Sequence, residues 1–255
     1  MPIDALRKAG IAGMAIVDIA NWREVLRRAA EGKPVTEIRL RKGITLNARP
    51  ETALWPHFCD IWYHRTYTKH CNIPPNSVVV DVGSNVGAFS LFASRVARVV
   101  FALEPSSSNF SLLASNTSRS KNIVPLNLAC SAEDGQAALD LSSDPVSFSL
   151  LTNGTVGSRE TVSVVRLETL FEKHKIVHCD FLKLDCEGSE FDIIMSSGAP
   201  FMSRISRIVM EYHDHLSKTF SHHDLVQKLT ALGFYSIVYN SHGTFGMIAA
   251  SRQKG

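Results

Sequence analysis

The chain has 255 residues, of which 45 % are hydrophobic and 20 % charged, and its formal net charge is +3. This composition is typical of a globular protein, and so small a charge gives no indication of nucleic-acid binding. No stretch approaches the ~18 apolar residues of a membrane-spanning helix, and the amino terminus lacks the features of a signal peptide. The five cysteines contain no C-x-x-C pair, which favours a reduced, cytoplasmic protein.

Residues 1–72 are predicted to form an amino-terminal segment of helices and a β-hairpin that covers the ligand site of the following domain. Apolar side chains recur at helical spacing over residues 11–30, which predicts one or two amphipathic helices. Alternating residues around a glycine turn predict a hairpin over residues 37–49. Five aromatic residues then follow at near-helical spacing between residues 55 and 67. They either cover one edge of the following domain or frame the cofactor or acceptor pocket.

The rest of the chain, residues 73–255, is predicted to form a domain in which strands and helices alternate. Buried strands are predicted near residues 78–82, 98–103, 123–129, 180–184 and 206–212. Helices are predicted after four of them, near residues 87–96, 106–117, 189–197 and 222–232. Two more extended pieces are predicted near residues 137–141 and 161–165, with a long loop over the site at 142–160 between them. A closing hairpin is predicted from residues 235–239 and 244–250. This alternation predicts an α/β fold with a mostly parallel, doubly wound sheet and an antiparallel edge strand.

A glycine-rich turn follows the first strand of this domain. The run V-V-V-D-V-G-S-N-V-G ends in Gly83 and Gly87, which tolerate positive φ and let a ligand approach the backbone closely. Glu104 follows the next strand, and an acid about 20 residues beyond such a turn is the arrangement that binds a ribose diol. The spacing differs from the G-x-G-x-x-G of dinucleotide sites. Asp81, just before the turn, suits the cationic amino and sulfonium groups of S-adenosylmethionine.

Acidic residues end three of the five predicted strands. Ligands bind outside the carboxyl ends of parallel strands, near the point where the strand order reverses. The residues at these ends are Asp81, Gly83, Glu104, Ala129, Cys130, the run from Asp185 to Gly188, and Glu211 to His213. We therefore expect a carboxylate cluster in one crevice. Glu187 and Glu190 have an equally good interpretation as favourable charges at a helix amino terminus.

The run K-L-D-C-E-G-S-E over residues 183–190 is the most specific signal in the chain. Together with residues 80–87, Leu103-Glu104-Pro105 and M-E-Y-H over residues 210–213, it resembles the FkbM family of S-adenosylmethionine-dependent methyltransferases. The resemblance extends over about residues 45–250. It implies a Rossmann-like class I methyltransferase fold with a seven-stranded sheet, and an enzyme that O-methylates a hydroxyl of a macrolide-type natural product or a saccharide. One departure is Glu168, where family members usually have aspartate.

The resemblance also implies roles for individual residues. The turn residues Gly83, Ser84, Asn85 and Gly87 would line the methionine and ribose part of the cofactor. Asp81, just before the turn, would also belong to the cofactor site. Glu104, next to Pro105, would accept hydrogen bonds from the ribose hydroxyls. Ala129 and Cys130 would lie beside the adenine. Asp185 would face either the cofactor amine or the acceptor.

Methyl transfer to a hydroxyl needs a group that takes up the hydroxyl proton as the oxygen attacks. His213 and Asp185 are the first candidates for this general base, followed by Glu187 and Glu211. A divalent cation held by Asp185, Glu211 and His213 is the alternative, with magnesium or manganese preferred over zinc. The general base is favoured, and no metal ion is predicted.

Two other functions stay open. The same scaffold could methylate nitrogen, or the chain could be a catalytically inactive cofactor-binding module in a biosynthetic complex. A nucleic-acid methyltransferase is disfavoured because the Asn-Pro-Pro-aromatic and Asp-Pro-Pro-aromatic signatures are absent. The expected partners are a small-molecule or glycan acceptor, no nucleic acid, no membrane span, and a second copy of the chain in a homodimer.

Overall fold

A computed structural model of the chain describes residues 3–140, 150–151 and 159–252. Its amino-terminal elements are helices α1 (Ile3–Asp18) and α2 (Trp22–Ala30), strands β1 (Glu37–Arg39) and β2 (Thr45–Asn47), helix α3 (Leu54–Phe58), a π-helical turn (Cys59–Tyr63) and a 3-10 turn (Thr66–Thr68). Strands β1 and β2 form an antiparallel hairpin. The predicted helices and hairpin of this segment are therefore confirmed.

Strands and helices alternate in the next part of the chain. In order they are β3 (Val78–Val82), α4 (Ala88–Ala93), β4 (Val99–Leu103), α5 (Ser107–Thr117), β5 (Ile123–Leu126), β6 (Ala129–Cys130), β7 (Gly135–Asp140), β8 (Leu150–Leu151) and β9 (Arg159–Val165). The remaining elements are α6 (Leu167–Lys173), β10 (Phe181–Leu184), α7 (Ser189–Ser196), α8 (Ala199–Met202), β11 (Arg207–His213), α9 (His222–Ala231), β12 (Tyr235–His242) and β13 (Phe245–Ser251).

The main sheet has seven strands in the order β12-β13-β11-β10-β3-β4-β5. Neighbours from β11 to β5 are parallel, whereas β13 is antiparallel to both β11 and β12. This order confirms the predicted class I methyltransferase fold with its closing antiparallel hairpin at one edge. The chain adds β4 and β5 on one side of β3 and then crosses to β10 on the other side. A crevice opens at this reversal, where ligands bind in sheets of this kind.

The predicted strand at 123–129 is split into β5 and β6 because Asn127 turns the chain away from the main sheet. Its side-chain amide donates to the carbonyls of Glu104 and Pro105 at 2.9 and 2.8 Å. The two further extended pieces join β6 in a separate four-stranded sheet of order β6-β9-β7-β8. Most of the loop predicted at 142–160 lies outside the described residues.

The amino-terminal segment shares a hydrophobic cluster with one face of the main sheet. Alternate residues of β3 point to opposite faces, so Val79 joins this cluster and Val80 joins the cluster on the other side. The segment's Phe58 and Trp62 stack with ring centroids 5.2 Å apart, and Trp62 meets Phe92 of α4 edge-on at 5.5 Å. These aromatics therefore cover α4. A domain boundary at residue 72 stays a prediction.

Two further features complete the description. Among the helices that the structure describes, none combines the length and the apolarity needed to cross a lipid bilayer. All five cysteines are free thiols.

Candidate active site

A cavity of about 550 Å³ lies at the carboxyl ends of β3, β4, β10 and β11, where the strand order reverses. The amino-terminal segment contributes the opposite wall. Of the residues predicted for the site, all but Asp81 and Gly87 line this cavity: Gly83, Ser84, Asn85, Glu104, Pro105, Ala129, Cys130, Asp185, Glu187, Glu211 and His213. The volume is that of a small-molecule site.

The glycine turn after β3 is compressed between its neighbouring strands. Gly83 has φ 76°, and a Cβ atom at this position would lie 1.7 Å from the carbonyl oxygen of Asp185. The N–H groups of Gly83 and Ser84 both donate to the carbonyl of Leu103, at 3.0 and 2.8 Å. Gly87 has φ 93° and begins α4 against Leu113, away from the cavity wall. Its role is to let α4 start beside α5.

Glu104 is buried in the cavity wall and held by backbone groups. Its two carboxylate oxygens accept the N–H groups of Asn85 at 2.9 Å and Ser106 at 3.0 Å. Burial raises the pKa of Glu104 to about 7, against the opposing effect of these two hydrogen bonds. The geometry allows a carboxylate that is fixed by the backbone to meet a diol in the cavity.

A chain of four polar side chains connects β3, β10 and the amino-terminal segment. Lys183 lies 3.2 Å from Asp81 Oδ1 and 3.5 Å from Asp185 Oδ2, and its ammonium also donates to the carbonyl of Gly83 at 2.7 Å. The Tyr67 hydroxyl donates to Asp185 Oδ2 at 2.7 Å. Burial opposes the charged form of Lys183, but Asp81 and Asp185 outweigh it and raise the pKa of its ammonium. The Lys183 ammonium is therefore the counter-ion of Asp81 inside the protein.

The same interactions hold the side chains of Asp81 and Asp185 in place. Asp81 is fully buried and accepts the Ser90 hydroxyl at 2.5 Å. Burial would raise the pKa of Asp185, but Lys183, His213 and the Tyr67 hydroxyl lower it below the ordinary value for aspartate. Asp185 is thus a stable carboxylate with low proton affinity.

Glu190 anchors His213 at the end of β11. One oxygen of the fully buried Glu190 carboxylate accepts the His213 backbone N–H at 2.9 Å and contacts Nδ1 of its ring at 3.0 Å. The other oxygen accepts the N–H of Gly188 at 2.8 Å. The His213 Nε2 lies 3.5 Å from the Glu187 carboxylate. Burial disfavours the imidazolium, yet Glu190 and Glu187 raise the pKa of His213 to about 9, so at neutral pH this ring carries a positive charge.

Glu211 differs from these anchored acids. It precedes His213 by two positions on β11, and its carboxyl group accepts no hydrogen bond from the described residues. Burial raises the pKa of Glu211 to about 8, and the negative charge of Asp185 adds to this. One donor atom each of Asp185, Glu211 and His213 lie within 4.8 Å of one another, a spacing at which they could also share a cation.

Several cavity residues escaped the sequence analysis. Lys183 had a detectable sequence signal, since it is a lysine in an otherwise apolar strand. The structure pairs it in register with Asp81. Tyr67 had none beyond its place in the aromatic run. The cavity lining also includes residues from the amino-terminal segment, from the turn after β11 and from the last two strands, namely His57, Asp60, Thr66, His215, Asn240, His242 and Phe245. Only the tertiary fold brings these together.

The family model described as "Methyltransferase FkbM domain" matches residues 81–235, more than half of the chain. The chain belongs to the FkbM methyltransferase family. The resemblance predicted from the sequence is thereby confirmed, and the protein is an S-adenosylmethionine-dependent methyltransferase.

Two individual relatives share 25–28 % sequence identity with this chain. The 31-O-demethyl-FK506 methyltransferase FkbM of Streptomyces tacrolimicus is 28 % identical over 217 residues, which cover 71 % of this chain and 82 % of that protein. The AMB antimetabolite synthetase AmbE of Pseudomonas aeruginosa is 25 % identical over 185 residues, or 56 % of this chain, and the match spans 9 % of AmbE.

Solved structures of methyltransferases are also similar. The FkbM methyltransferase of Methylobacillus flagellatus KT has a TM-score of 0.48 and 11 % identity, covering 76 % of this chain and 47 % of that one. SMU.1697c of Streptococcus mutans, in complex with SAH, has a TM-score of 0.45 and 11 % identity, covering 74 % of this chain and 94 % of that one.

Proposed function

We propose that this FkbM methyltransferase transfers a methyl group to a hydroxyl oxygen of a macrolide-type natural product or a saccharide. The name of the Streptomyces tacrolimicus relative, a 31-O-demethyl-FK506 methyltransferase, supports an oxygen acceptor. The observation that carries the proposal is the carboxyl group of Glu211 in the cavity. Burial raises the pKa of Glu211 to about 8, so its ionised fraction grows as pH rises towards 8, and the ionised carboxylate is a stronger base towards a weakly acidic hydroxyl than an ordinary glutamate.

The cavity residues fit S-adenosylmethionine. Glu104 would accept hydrogen bonds from the ribose hydroxyls, and Ala129 and Cys130 would lie beside the adenine. The side-chain oxygen of Asn85 is buried and has no hydrogen-bond partner among the described residues, so a ligand group could satisfy it. Asp185 would face the cofactor's ammonium group. Bound here, the cofactor supplies a methyl group on a positively charged sulfur.

The neighbouring groups support Glu211 as the general base over the other candidates. Both ring nitrogens of His213 contact carboxylates, Nδ1 at 3.0 Å from Glu190 and Nε2 at 3.5 Å from Glu187, so neither nitrogen is available to take up a proton from the acceptor. Asp185 has a lowered pKa and is therefore a weak base. We assign His213 an electrostatic role, in which its charge stabilises the carboxylates around the acceptor. Positioning the acceptor oxygen against the methyl group provides much of the remaining acceleration.

A divalent cation at Asp185, Glu211 and His213 is the alternative way to activate the hydroxyl. The oxygen-rich donor set would suit magnesium. Lys183, 3.5 Å from Asp185, and the charged His213 already balance part of the negative charge. This balance favours transfer without a metal ion.

The other predictions from the sequence stay proposals. They are a cytoplasmic location, a homodimer, no nucleic-acid partner, nitrogen in place of oxygen as the acceptor atom, and an inactive module within a biosynthetic complex. The intact carboxylates of the cavity favour an active enzyme over the inactive module.

Methyl transfer from isotope-labelled S-adenosylmethionine to a panel of hydroxylated macrolides and saccharides tests the proposal. We expect an O-methyl product and full activity in the presence of a chelator. The variant Glu211→Gln should lower kcat by about 10²–10⁴-fold, the usual contribution of a general base, while its affinity for S-adenosylhomocysteine stays within about twofold of wild type.

The matched control is Glu172→Gln, which removes an exposed carboxylate of α6 outside the cavity and should change neither value. An N-linked methyl group in the product would favour the nitrogen acceptor. Wild-type turnover by Glu211→Gln would exclude this residue as the base, and loss of activity with chelator would favour the metal ion.

A further inference from the structure

The amino-terminal segment reaches into the site through one side chain. Tyr67 lies in the 3-10 turn Thr66–Thr68, and its hydroxyl donates to Oδ2 of Asp185, 118 residues further along the chain, at 2.7 Å. The Tyr67 ring is buried and meets the ring of Phe89 edge-on at 5.4 Å. The turn itself is held from β12, where the Tyr239 hydroxyl donates to the carbonyl of Thr66 at 2.8 Å. Tyr67 is thus held in place by its hydroxyl, by its ring and by the turn that carries it.

Among the described residues, partners contact one of the two Asp185 carboxylate oxygens and leave the other without a hydrogen bond. Tyr67 and Lys183 both contact Oδ2, at 2.7 and 3.5 Å. Within the described residues Oδ1 accepts no hydrogen bond, and the Asp185 side chain keeps 25 % of its surface exposed. Since Asp185 lines the cavity, this exposed part is available to a bound molecule.

Asp185 also lies directly beside the glycine turn. The strands β10 and β3 pair in parallel up to Leu184 and Val82, so their next residues leave the sheet side by side. The backbone contact is close enough that a Cβ on Gly83 would lie 1.7 Å from the Asp185 carbonyl oxygen. The methionine part of the cofactor is expected at this turn. A carboxylate with one unused oxygen is a suitable acceptor for an ammonium group there.

We propose that Tyr67 is a positioning residue that fixes the Asp185 carboxylate so that its Oδ1 binds the ammonium group of the cofactor. The inference rests on the cofactor site of the proposed function. It gives the amino-terminal segment a part in cofactor binding in addition to its packing on α4. Without the Tyr67 hydroxyl, the Asp185 carboxylate would be free to rotate and would use both oxygens for Lys183 or water.

The test compares two ligands that differ in the group concerned. S-adenosylhomocysteine carries the ammonium group, and 5′-methylthioadenosine has the same nucleoside without the amino-acid part. Calorimetric titration of Tyr67→Phe should show about tenfold weaker binding of S-adenosylhomocysteine and unchanged binding of 5′-methylthioadenosine. The control Tyr63→Phe removes a buried hydroxyl that has no hydrogen-bond partner among the described residues, and it should change neither affinity.

A double-mutant cycle with Asp185→Asn shows whether Tyr67 acts through Asp185. If it does, Tyr67→Phe adds no further loss once Asp185 is replaced. Equal weakening of both ligands, or no weakening of either, would overturn the inference while wild-type binding of S-adenosylhomocysteine leaves the proposed function intact. Failure of the wild type to bind either ligand would overturn both. The melting temperature of each variant identifies a loss of fold.

Discussion

The two ends of the cavity hold their carboxylates by different means. At the end where the ribose is proposed to bind, called the ribose end, Glu104 is fixed by the backbone N–H groups of Asn85 and Ser106, which lie 19 and 2 residues away in the chain. At the end proposed for methyl transfer, called the transfer end, Asp185 is fixed by the side chains of Tyr67 and Lys183. Tyr67 lies 118 residues away from Asp185. One end therefore depends on local backbone geometry and the other on distant charged or polar side chains.

The two kinds of support have different consequences. Backbone N–H groups persist through almost any side-chain substitution, so the ribose end should tolerate changes around Glu104. Side-chain partners can be lost singly, and each loss leaves a buried charge without its partner. The transfer end should therefore be the more sensitive part of the site to substitution.

The largest effect is expected at Lys183. The variant Lys183→Met leaves the buried carboxylate of Asp81 and the partly exposed carboxylate of Asp185 without their cation, and removing one partner of a buried ion pair costs about 3–5 kcal/mol. The free energy of unfolding, measured with urea at pH 7, should fall by that amount. The exposed Lys173 of α6 provides the control, since Lys173→Met should change it by no more than about 0.5 kcal/mol. A Lys183→Met variant as stable as wild type would contradict the account of the transfer end.

A smaller effect is expected from the titration of Glu104. Its pKa of about 7 in the folded protein lies above the ordinary 4.5, so the folded state binds the proton more tightly than the unfolded state. This group's contribution to stability is therefore present below about pH 4.5 and is lost as pH rises towards 7. In the proposed site the ribose hydroxyls would donate to the charged carboxylate, so binding of 5′-methylthioadenosine should strengthen by up to about tenfold from pH 6 to pH 8.

The nucleoside isolates this effect from the titrating groups of the transfer end. In Glu104→Gln the pH dependence should disappear, because the amide does not titrate. Persistence of the same pH dependence in Glu104→Gln would assign it to another group.

Sequence reasoning succeeded where the interactions are local. Gly83 and Glu104 directly follow neighbouring strands, and their spacing is set by one strand–helix–strand unit, so their place at the same edge of the sheet could be predicted. The alternation of elements likewise predicted the seven-stranded sheet. At the transfer end the strand-end rule placed Asp185, Glu211 and His213 in one crevice. The strand-end rule does not predict whether each of these side chains is protonated or ionised.

The remaining features depend on tertiary contacts. Glu190 could be interpreted as a helix-terminal charge, yet its contacts with His213 and Gly188 make it a buried anchor between α7 and β11. The pairing of Tyr67 with Asp185 has no sequence pattern at all. The separate four-stranded sheet arises because Asn127 satisfies two carbonyls at the end of β4 and directs the chain outwards.

The central claim, that this cavity binds the methyl donor through Glu104, is tested most directly by calorimetric titration of S-adenosylhomocysteine. We expect wild type to bind and Glu104→Ala to bind more than about tenfold more weakly (~1.4 kcal/mol). The control Glu160→Ala removes a carboxylate that accepts the Ser107 N–H outside the cavity lining, and it should bind like wild type. A folded wild-type protein that does not bind S-adenosylhomocysteine, or equal affinity of Glu104→Ala, would contradict the account.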